Sequence, residues 1–293
     1  MKTPPKRPPK TTKKPPAPPD RNTKPKTTKV FSIKSWTEST KGEKIILYGD
    51  FGMGKTTLAS TAPNPVFIAL DDGSSKINNP ITGEKLDYVE GVNSFDDCRA
   101  ALRQLTLFGN DSTVVLDTGG ELEALGLQWT FENVPHEKGN HVSSIEGYGY
   151  GKGYRHLYET MRLPLGDLDR IVNAGNNIII ICQQQQVMVS NPGGDDFLCD
   201  APKMQPAHGQ TPSIWGLYCE WADHVFKIGY ESIHAKEGKA IAGNDRAVFV
   251  HPEIYFKAKS RTISRDYPII SFNDPSDDSL WRFLFPDKYA EEE

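Results

Sequence analysis

The chain has 293 residues, of which 37% are hydrophobic, 25% charged and 10% aromatic, and this composition excludes a collagen-like, fully disordered or disulfide-dense protein. Its length fits one large α/β domain with terminal tails. The formal net charge of −4 conceals a division, because residues 1–29 carry +9 and the remaining residues carry −13, which excludes a uniformly basic DNA-binding surface.

The first predicted segment is a basic arm over residues 1–29. It contains nine prolines and ten lysines or arginines but almost no apolar side chains, so packing cannot offset the entropy of ordering it. We therefore expect a disordered arm. Residues 30–285 are predicted to form the folded domain, and residues 286–293 an acidic tail.

Short apolar runs alternate with helical stretches after the arm, which is typical of an α/β fold with a mostly parallel central sheet. A capping box at Ser94 and Asp97 predicts the start of a helix, and a longer helix is predicted over 154–174 with a kink at Pro164. Two long loops are predicted, over 134–153 and 184–216. The predicted strands are 44–48, 65–70, 113–116, 177–182, 223–228, 246–251 and 253–258.

The four cysteines, Cys98, Cys182, Cys199 and Cys219, include no CxxC pair, which favours a reducing compartment. The apolar run 178–182 is too short to cross a bilayer, and prolines rather than an apolar segment follow the basic N-terminus. The sequence therefore predicts a cytoplasmic protein with no membrane role. A zinc set drawn from Cys199, His208, Cys219 and His224 matches no compact ligand spacing.

The strongest motif is the GxxxxGK[ST] pattern at residues 49–56, between a predicted strand and a predicted helix. Glycines allow backbone N–H groups to surround phosphates, Lys55 neutralises the β- and γ-phosphate oxygens, and the Thr56 hydroxyl binds Mg²⁺. The motif predicts a site for a nucleoside triphosphate with Mg²⁺ as the only metal. The predicted contact residues are Gly49, Asp50, Phe51, Gly52, Met53, Gly54, Lys55, Thr56 and Thr57.

Acidic residues follow two further strands. Asp117 ends an apolar run and is the predicted Walker B acid that holds Mg²⁺ through water, with a helix N-cap as the alternative. The next residue is Thr118, which has no carboxylate to orient the attacking water, so another residue must perform that role. Asp71 is the preferred candidate and Asp72 the second, and a turn formed by Asp-Asp-Gly is the alternative for both.

The order of these parts over residues 42–275 resembles the RecA-like P-loop NTPase core. More narrowly, it resembles phage-encoded RecA-like nucleotide-binding proteins that include single-strand annealing recombinases. The resemblance implies that a polar residue after the strand 178–182 senses the γ-phosphate, and Gln183 occupies that place at the head of a four-glutamine run. The alternative for any one of these glutamines is a solvated strand end.

The same resemblance places DNA-contacting loops at the two long loops. Residues 147–155 combine glycines, tyrosines and cations, which suits single-stranded DNA held by stacking and phosphate contacts. A mobile loop whose tyrosines pack on the domain is the alternative. The predicted DNA-binding residues are Tyr148, Tyr150, Lys152, Tyr154 and Arg155.

Lys259 and Arg261 resemble the Lys-x-Arg element that RecA-like assemblies insert into a neighbour's site. If this segment is a strand, both side chains point outward and can reach the γ-phosphate bound by a neighbouring subunit. The resemblance therefore implies a homo-oligomer, either a ring or a filament, in which hydrolysis requires residues of two subunits. A basic edge strand that blocks aggregation is the alternative.

These features together predict a DNA-stimulated ATPase that binds single-stranded DNA and promotes annealing or pairing, with a single-strand-binding protein as a further expected partner. If the protein is phage-encoded, the compartment is the bacterial cytoplasm. We expect loss of residues 1–29 to lower DNA affinity while ATP binding persists. The alternatives are a P-loop switch or GTPase, for which a guanine-reading NKxD segment is missing, a ring helicase or packaging motor, and a small-molecule kinase.

Overall fold

The computed structural model of the chain describes residues 41–231, 233–236, 239–242 and 245–289. The basic arm over 1–29, the predicted domain boundary near residue 30 and the glutamates at 291–293 lie outside the described residues. In the described part of the chain, no helix combines the length and apolar character that crossing a bilayer requires.

The described residues form eleven strands and seven α-helices, together with three short 3₁₀ helices. The strands are β1 (Lys44–Gly49), β2 (Pro65–Ala69), β3 (Asp87–Tyr88), β4 (Thr113–Asp117), β5 (Asn177–Val189), β6 (Phe197–Pro202), β7 (His224–Tyr230), β8 (Ile233–Lys236), β9 (Lys239–Ala242), β10 (Arg246–Phe249) and β11 (Ile269–Ser271). The helices are α1 (Lys55–Ser60), α2 (Phe95–Arg103), α3 (Gly119–Asn133), α4 (Lys152–Asn173), α5 (Ile214–Trp221), α6 (Ser279–Leu284) and α7 (Pro286–Tyr289).

The central sheet has the strand order β11-β10-β7-β1-β5-β4-β2-β3. The six strands from β7 to β3 run parallel, whereas β10 and β11 add antiparallel strands at one edge. This sheet confirms the predicted α/β class with a mostly parallel centre. Because these six strands are parallel, their C-terminal ends lie on the same side of the sheet, and so do the loops that follow them.

The sheet is buried on both faces because the central strands alternate between two apolar layers. Ile46 and Tyr48 of β1 pack with α2, α3, α4 and α5 on one face. Ile45 and Leu47 of the same strand pack with α1 and α6 on the other. Such near-continuous apolar runs are typical of parallel strands covered by helices on both sides.

Two helix predictions are confirmed. Ser94 Oγ accepts a hydrogen bond from the Asp97 amide at 3.1 Å, so the capping box starts α2. The long helix α4 begins two residues earlier than predicted and continues through Pro164.

Two predictions about the second half of the chain are wrong. The segment 253–258 is not a strand, since it makes only isolated bridges such as Glu253 with Phe256. The predicted loop 184–216 begins as regular structure, because β5 continues to Val189 and pairs antiparallel with β6. We call these two paired segments, 184–189 and 197–202, the β5–β6 hairpin.

Candidate nucleotide-binding site

The GxxxxGK[ST] motif forms the turn that joins β1 to α1. Gly52 and Gly54 have φ angles of 73° and 89°, in the left-handed region that glycine adopts without strain. Gly54 is the N-cap of α1 and contributes no side-chain cap, so the amides of the first turn remain available to an anion. This geometry makes a phosphate cradle at the helix N-terminus.

Lys55 lies at the centre of this cradle and is only 6% exposed. Its ammonium group donates to the carbonyl oxygens of Gly49 at 3.0 Å and Asp50 at 2.7 Å, and to Gln183 Oε1 at 2.9 Å. Burial lowers the pKa of Lys55, and the carboxylates of Asp117 and Asp50 oppose that effect. All three acceptors are uncharged, so a phosphate oxygen is a stronger partner for this ammonium than any of them.

Asp117 ends β4 beside the cradle and is 3% exposed. Its Oδ2 accepts a hydrogen bond from the Thr56 hydroxyl at 3.0 Å. Burial raises the pKa of Asp117 to about 6, the negative charge of Asp71 adds to that rise, and the Thr56 hydrogen bond opposes it. The N-cap of α3 is Thr118, whose side chain accepts from the Glu121 amide, so Asp117 is not needed as a cap.

The donor set fits Mg²⁺, because a threonine hydroxyl and a carboxylate lie 3.0 Å apart at the phosphate cradle. Thr56 and Asp117 are the residues that would hold the ion. When bound, Mg²⁺ would neutralise charge on the phosphate oxygens.

A cavity of about 340 Å³ opens over the cradle and brings the predicted residues together. It is lined by Lys55, Thr56, Asp71, Asp117 and Gln183, which come from four different segments. Asp72 does not line this cavity. Asp71 also accepts a hydrogen bond from the Gly73 amide at 2.8 Å, so it forms the predicted turn and faces the cavity as well.

The four glutamines after the apolar part of β5 have different partners. Gln183 contacts Lys55, whereas the side chain of Gln185 donates to the carbonyl oxygens of Pro202 and Met204. Gln183 is therefore the glutamine that the strand places at the cradle.

The structure corrects the predicted DNA-binding set at Tyr148. This ring is 2% exposed, and its hydroxyl donates to the carbonyl oxygens of Thr130 and Val134, so it packs on the domain and cannot stack on a base. Tyr150 is fully exposed, with a φ of 50°. Lys152 and Arg155 lie in the first turn of α4, and each forms an ion pair, with Glu137 and Glu159 respectively.

The Lys-x-Arg segment also differs from the prediction. Lys259 makes one isolated antiparallel bridge with Val225, and its ammonium donates to the carbonyl oxygens of Cys219, Glu220 and Ala222 at the end of α5. Lys259 thus stabilises a helix C-terminus and does not point outward from a strand.

Arg261 pairs with Asp223 at 3.3 Å, just before β7. Asp223 lies at the N-terminal end of β7, whereas the phosphate cradle follows the C-terminal end of the parallel strand β1. Arg261 and the cradle therefore lie at opposite ends of the strands. Arg261 therefore cannot reach the cradle of its own chain.

Two residues near these sites were not predicted. His208 stacks on Tyr154, with ring centroids 3.8 Å apart, and so joins the two segments predicted to contact DNA. Arg246 donates to the Met53 carbonyl at 3.3 Å and lies over the Phe272 ring at 4.8 Å. Both are long-range contacts, and no local sequence pattern indicates either one.

The chain is similar to a family of known proteins and to solved structures. No curated protein matches the chain. Among solved structures, the chain is similar to a KaiC-like protein of Pyrococcus horikoshii OT3, with 15% identity, a TM-score of 0.43, and coverage of 80% of this chain and 88% of that chain. Residues 41–262 match the family model described as AAA domain. Since this match spans more than half of the chain, the chain belongs to the AAA domain family and is a P-loop ATPase of the AAA type.

Proposed function

We propose that this chain is an ATP-hydrolysing, RecA-like recombination protein that binds single-stranded DNA and promotes annealing or pairing of strands. In this proposal the nucleotide state controls DNA binding. The observation that carries it is the stacked pair Tyr154 and His208, because these rings join the two segments predicted to contact DNA.

The proposed coupling begins at Lys55. A γ-phosphate entering the cradle competes for the ammonium group that now donates to Gln183 Oε1. Gln183 then loses its partner, and its amide is free to orient either phosphate or water. Asp71 faces the same cavity and is our proposed acceptor for a proton of the attacking water.

In this proposal the change at Gln183 is transmitted to the segment that follows β6. The Gln183 carbonyl accepts from the Lys203 amide at 2.7 Å, just after the β5–β6 hairpin. The chain then runs to His208 and its stacked partner Tyr154. A movement of Gln183 at the cradle would therefore displace the Tyr154–His208 pair, and such a displacement is what nucleotide-controlled DNA binding requires.

Tyr150 supplies the proposed stacking surface for a base. It lies between Gly149 and Gly151, which both have φ angles of 72°, so this tight turn projects the tyrosine ring away from the domain. An aromatic ring in this position stacks on any base, which suits binding without sequence preference. Lys152 and Arg155 would exchange their carboxylate partners for DNA phosphates.

Arg261 is our proposed residue for completing a neighbour's site in a homo-oligomer. Arg261 lies at the opposite ends of the strands from its own cradle, and this position supports action on the cradle of another subunit rather than on its own. A mixture of Lys55→Ala and Arg261→Ala chains tests this, because some mixed interfaces pair an intact cradle with an intact arginine. Partial ATPase activity should return in co-assembled mixtures, and no recovery would contradict action across the interface.

The decisive experiment measures ATP turnover and DNA affinity together, with a fluorescent dT oligonucleotide, for wild type, Tyr150→Ala and Tyr267→Ala. Tyr267 is an exposed tyrosine remote in sequence from the proposed DNA surface and serves as the matched control. We expect the oligonucleotide to raise turnover, and Tyr150→Ala to weaken binding by about 5- to 150-fold, since one base stack contributes roughly 1–3 kcal/mol. If ATP leaves DNA affinity unchanged and DNA leaves turnover unchanged, the proposed function is wrong.

A further inference from the structure

A second cavity, of about 520 Å³, lies beside the phosphate cradle. It is bounded by Asp50 and Met53 of the motif, by the end of β7, and by Gln184 at the base of the β5–β6 hairpin. Neither Lys55 nor Asp117 lines it. Its volume falls in the range of ligand sites, and an occupant would leave the cradle open to a nucleotide.

One wall of this cavity is aromatic. Phe256 is buried and contacts Phe249 and Tyr255, with both ring-centroid distances at 5.2 Å. Tyr255 is 59% exposed at the cavity. The ammonium group of Lys227 already lies 4.8 Å from the Phe256 centroid, so this ring cluster accommodates a cation.

The charged residues of the cavity favour a second cation. Lys227 is neutralised by Asp200 at 2.6 Å, and both side chains are largely buried. Asp50 and Glu231 also line the cavity, which leaves an excess of two carboxylates. This charge repels a phosphate backbone, and together with the exposed ring of Tyr255 it attracts ammonium or guanidinium groups.

We propose that this cavity binds a basic side chain, arginine or lysine, of a partner polypeptide. The aromatic wall receives the apolar stem and one face of the cation, and Asp50 and Glu231 neutralise its charge. This proposal goes beyond the proposed function. It rests on that function for one point, namely that Lys55 binds the γ-phosphate of the nucleotide.

Occupancy of this cavity would be coupled to the nucleotide through Lys55. The Asp50 carbonyl accepts from that ammonium at 2.7 Å, and Gln184 directly follows Gln183, which accepts at 2.9 Å. Asp50 and Gln184, which both line the cavity, are thus directly connected to two of the three hydrogen-bond acceptors of Lys55. A bound cation that shifts either wall changes nucleotide affinity, and the nucleotide must change affinity for the cation by the same factor.

The test uses two fluorescent nonapeptides that contain glycine, serine and three arginines, or citrulline in place of every arginine. Citrulline keeps the shape of arginine and removes its charge. Binding to the full chain is measured by anisotropy, with and without ATP and Mg²⁺, for Glu231→Gln and Tyr255→Ala. The matched controls are Glu90→Gln and Tyr267→Ala, which change exposed residues that do not line this cavity.

We expect the arginine peptide to bind at least about 5-fold more tightly than the citrulline peptide. Each cavity variant should remove most of that difference, both controls should retain it, and ATP should shift the arginine peptide's affinity. Equal binding of the two peptides, or equal effects of cavity and control variants, would overturn the proposal. So would a dT oligonucleotide that displaces the peptide and loses affinity in Tyr255→Ala, because the cavity would then bind nucleic acid.

The two proposals fail in distinguishable ways. If ATP turnover is insensitive to DNA but the arginine peptide binds as expected, the recombination role is wrong and the cation cavity stands. If turnover responds to DNA and the peptides bind equally, the cation cavity is wrong.

Discussion

Replacing Asp117 by asparagine should stabilise the nucleotide-free protein, and the gain should grow with pH. The folded pKa of Asp117 is about 6, against an ordinary value of 3.8, because the carboxyl is buried. Since the folded chain binds this proton more tightly than the unfolded chain, stability is lost as pH rises from about 4 to 6. Asparagine cannot ionise, and its side-chain oxygen can still accept from Thr56.

The magnitude follows from these two pKa values. One pH unit corresponds to about 1.4 kcal/mol, so ionising Asp117 at pH 8 costs the folded chain roughly 3 kcal/mol more than the unfolded chain. At pH 5 the folded carboxyl is mostly protonated, and the difference falls to about 1.5 kcal/mol. The advantage of Asp117→Asn over wild type should therefore be about 1.5 kcal/mol larger at pH 8 than at pH 5.

Urea unfolding without nucleotide or Mg²⁺, at pH 5 and pH 8, measures this difference directly. Asp195→Asn is the control, because Asp195 is exposed and its replacement should change the free energy of unfolding by less than about 0.5 kcal/mol at either pH. An Asp117→Asn advantage that is equal at both pH values, or larger at pH 5, would refute the account of Asp117 as a carboxylate destabilised by burial.

Three further predictions concern other parts of the chain. Gln183→Ala removes an acceptor that competes for Lys55, so ATP should bind at least as tightly, while steady-state turnover falls by about 10-fold or more and loses any DNA response. Trp281→Phe should lower the free energy of unfolding by about 1–3 kcal/mol, measured in urea, because the indole N–H donates to α1. Ser94→Ala should cost about 1 kcal/mol in the same assay, whereas Ser94→Thr should cost less.

The elements of the phosphate cradle could be predicted because their signals are local. The glycine and lysine spacing of residues 49–56 defines the turn, and the apolar run before Asp117 defines β4. Once both strands belong to one parallel sheet, their ends lie at the same edge. The 3.0 Å contact between Thr56 and Asp117 is a consequence of that arrangement.

Other features could not be predicted because long-range pairing decides them. The glutamine run at 183–186 has no apolar alternation, so it resembles a loop until β6 pairs with it. Glycine and tyrosine alternate at 147–151, and the pattern does not reveal that Tyr148 turns inward to two carbonyl groups of another segment. The stacking of His208 on Tyr154 likewise depends on the path of the whole chain.

The contact of Trp281 with α1 bears on how the chain folds while it is being synthesised. Its indole N–H donates to the Leu58 carbonyl and the Thr61 hydroxyl, at the end of the short helix whose start forms the phosphate cradle. During synthesis the cradle residues leave the ribosome more than 200 residues before this tryptophan. A nascent chain that has not yet reached Trp281 would contain the complete GxxxxGK[ST] motif but would lack the side chain that stabilises α1. The same holds for a fragment that stops at residue 262, where the AAA domain match ends.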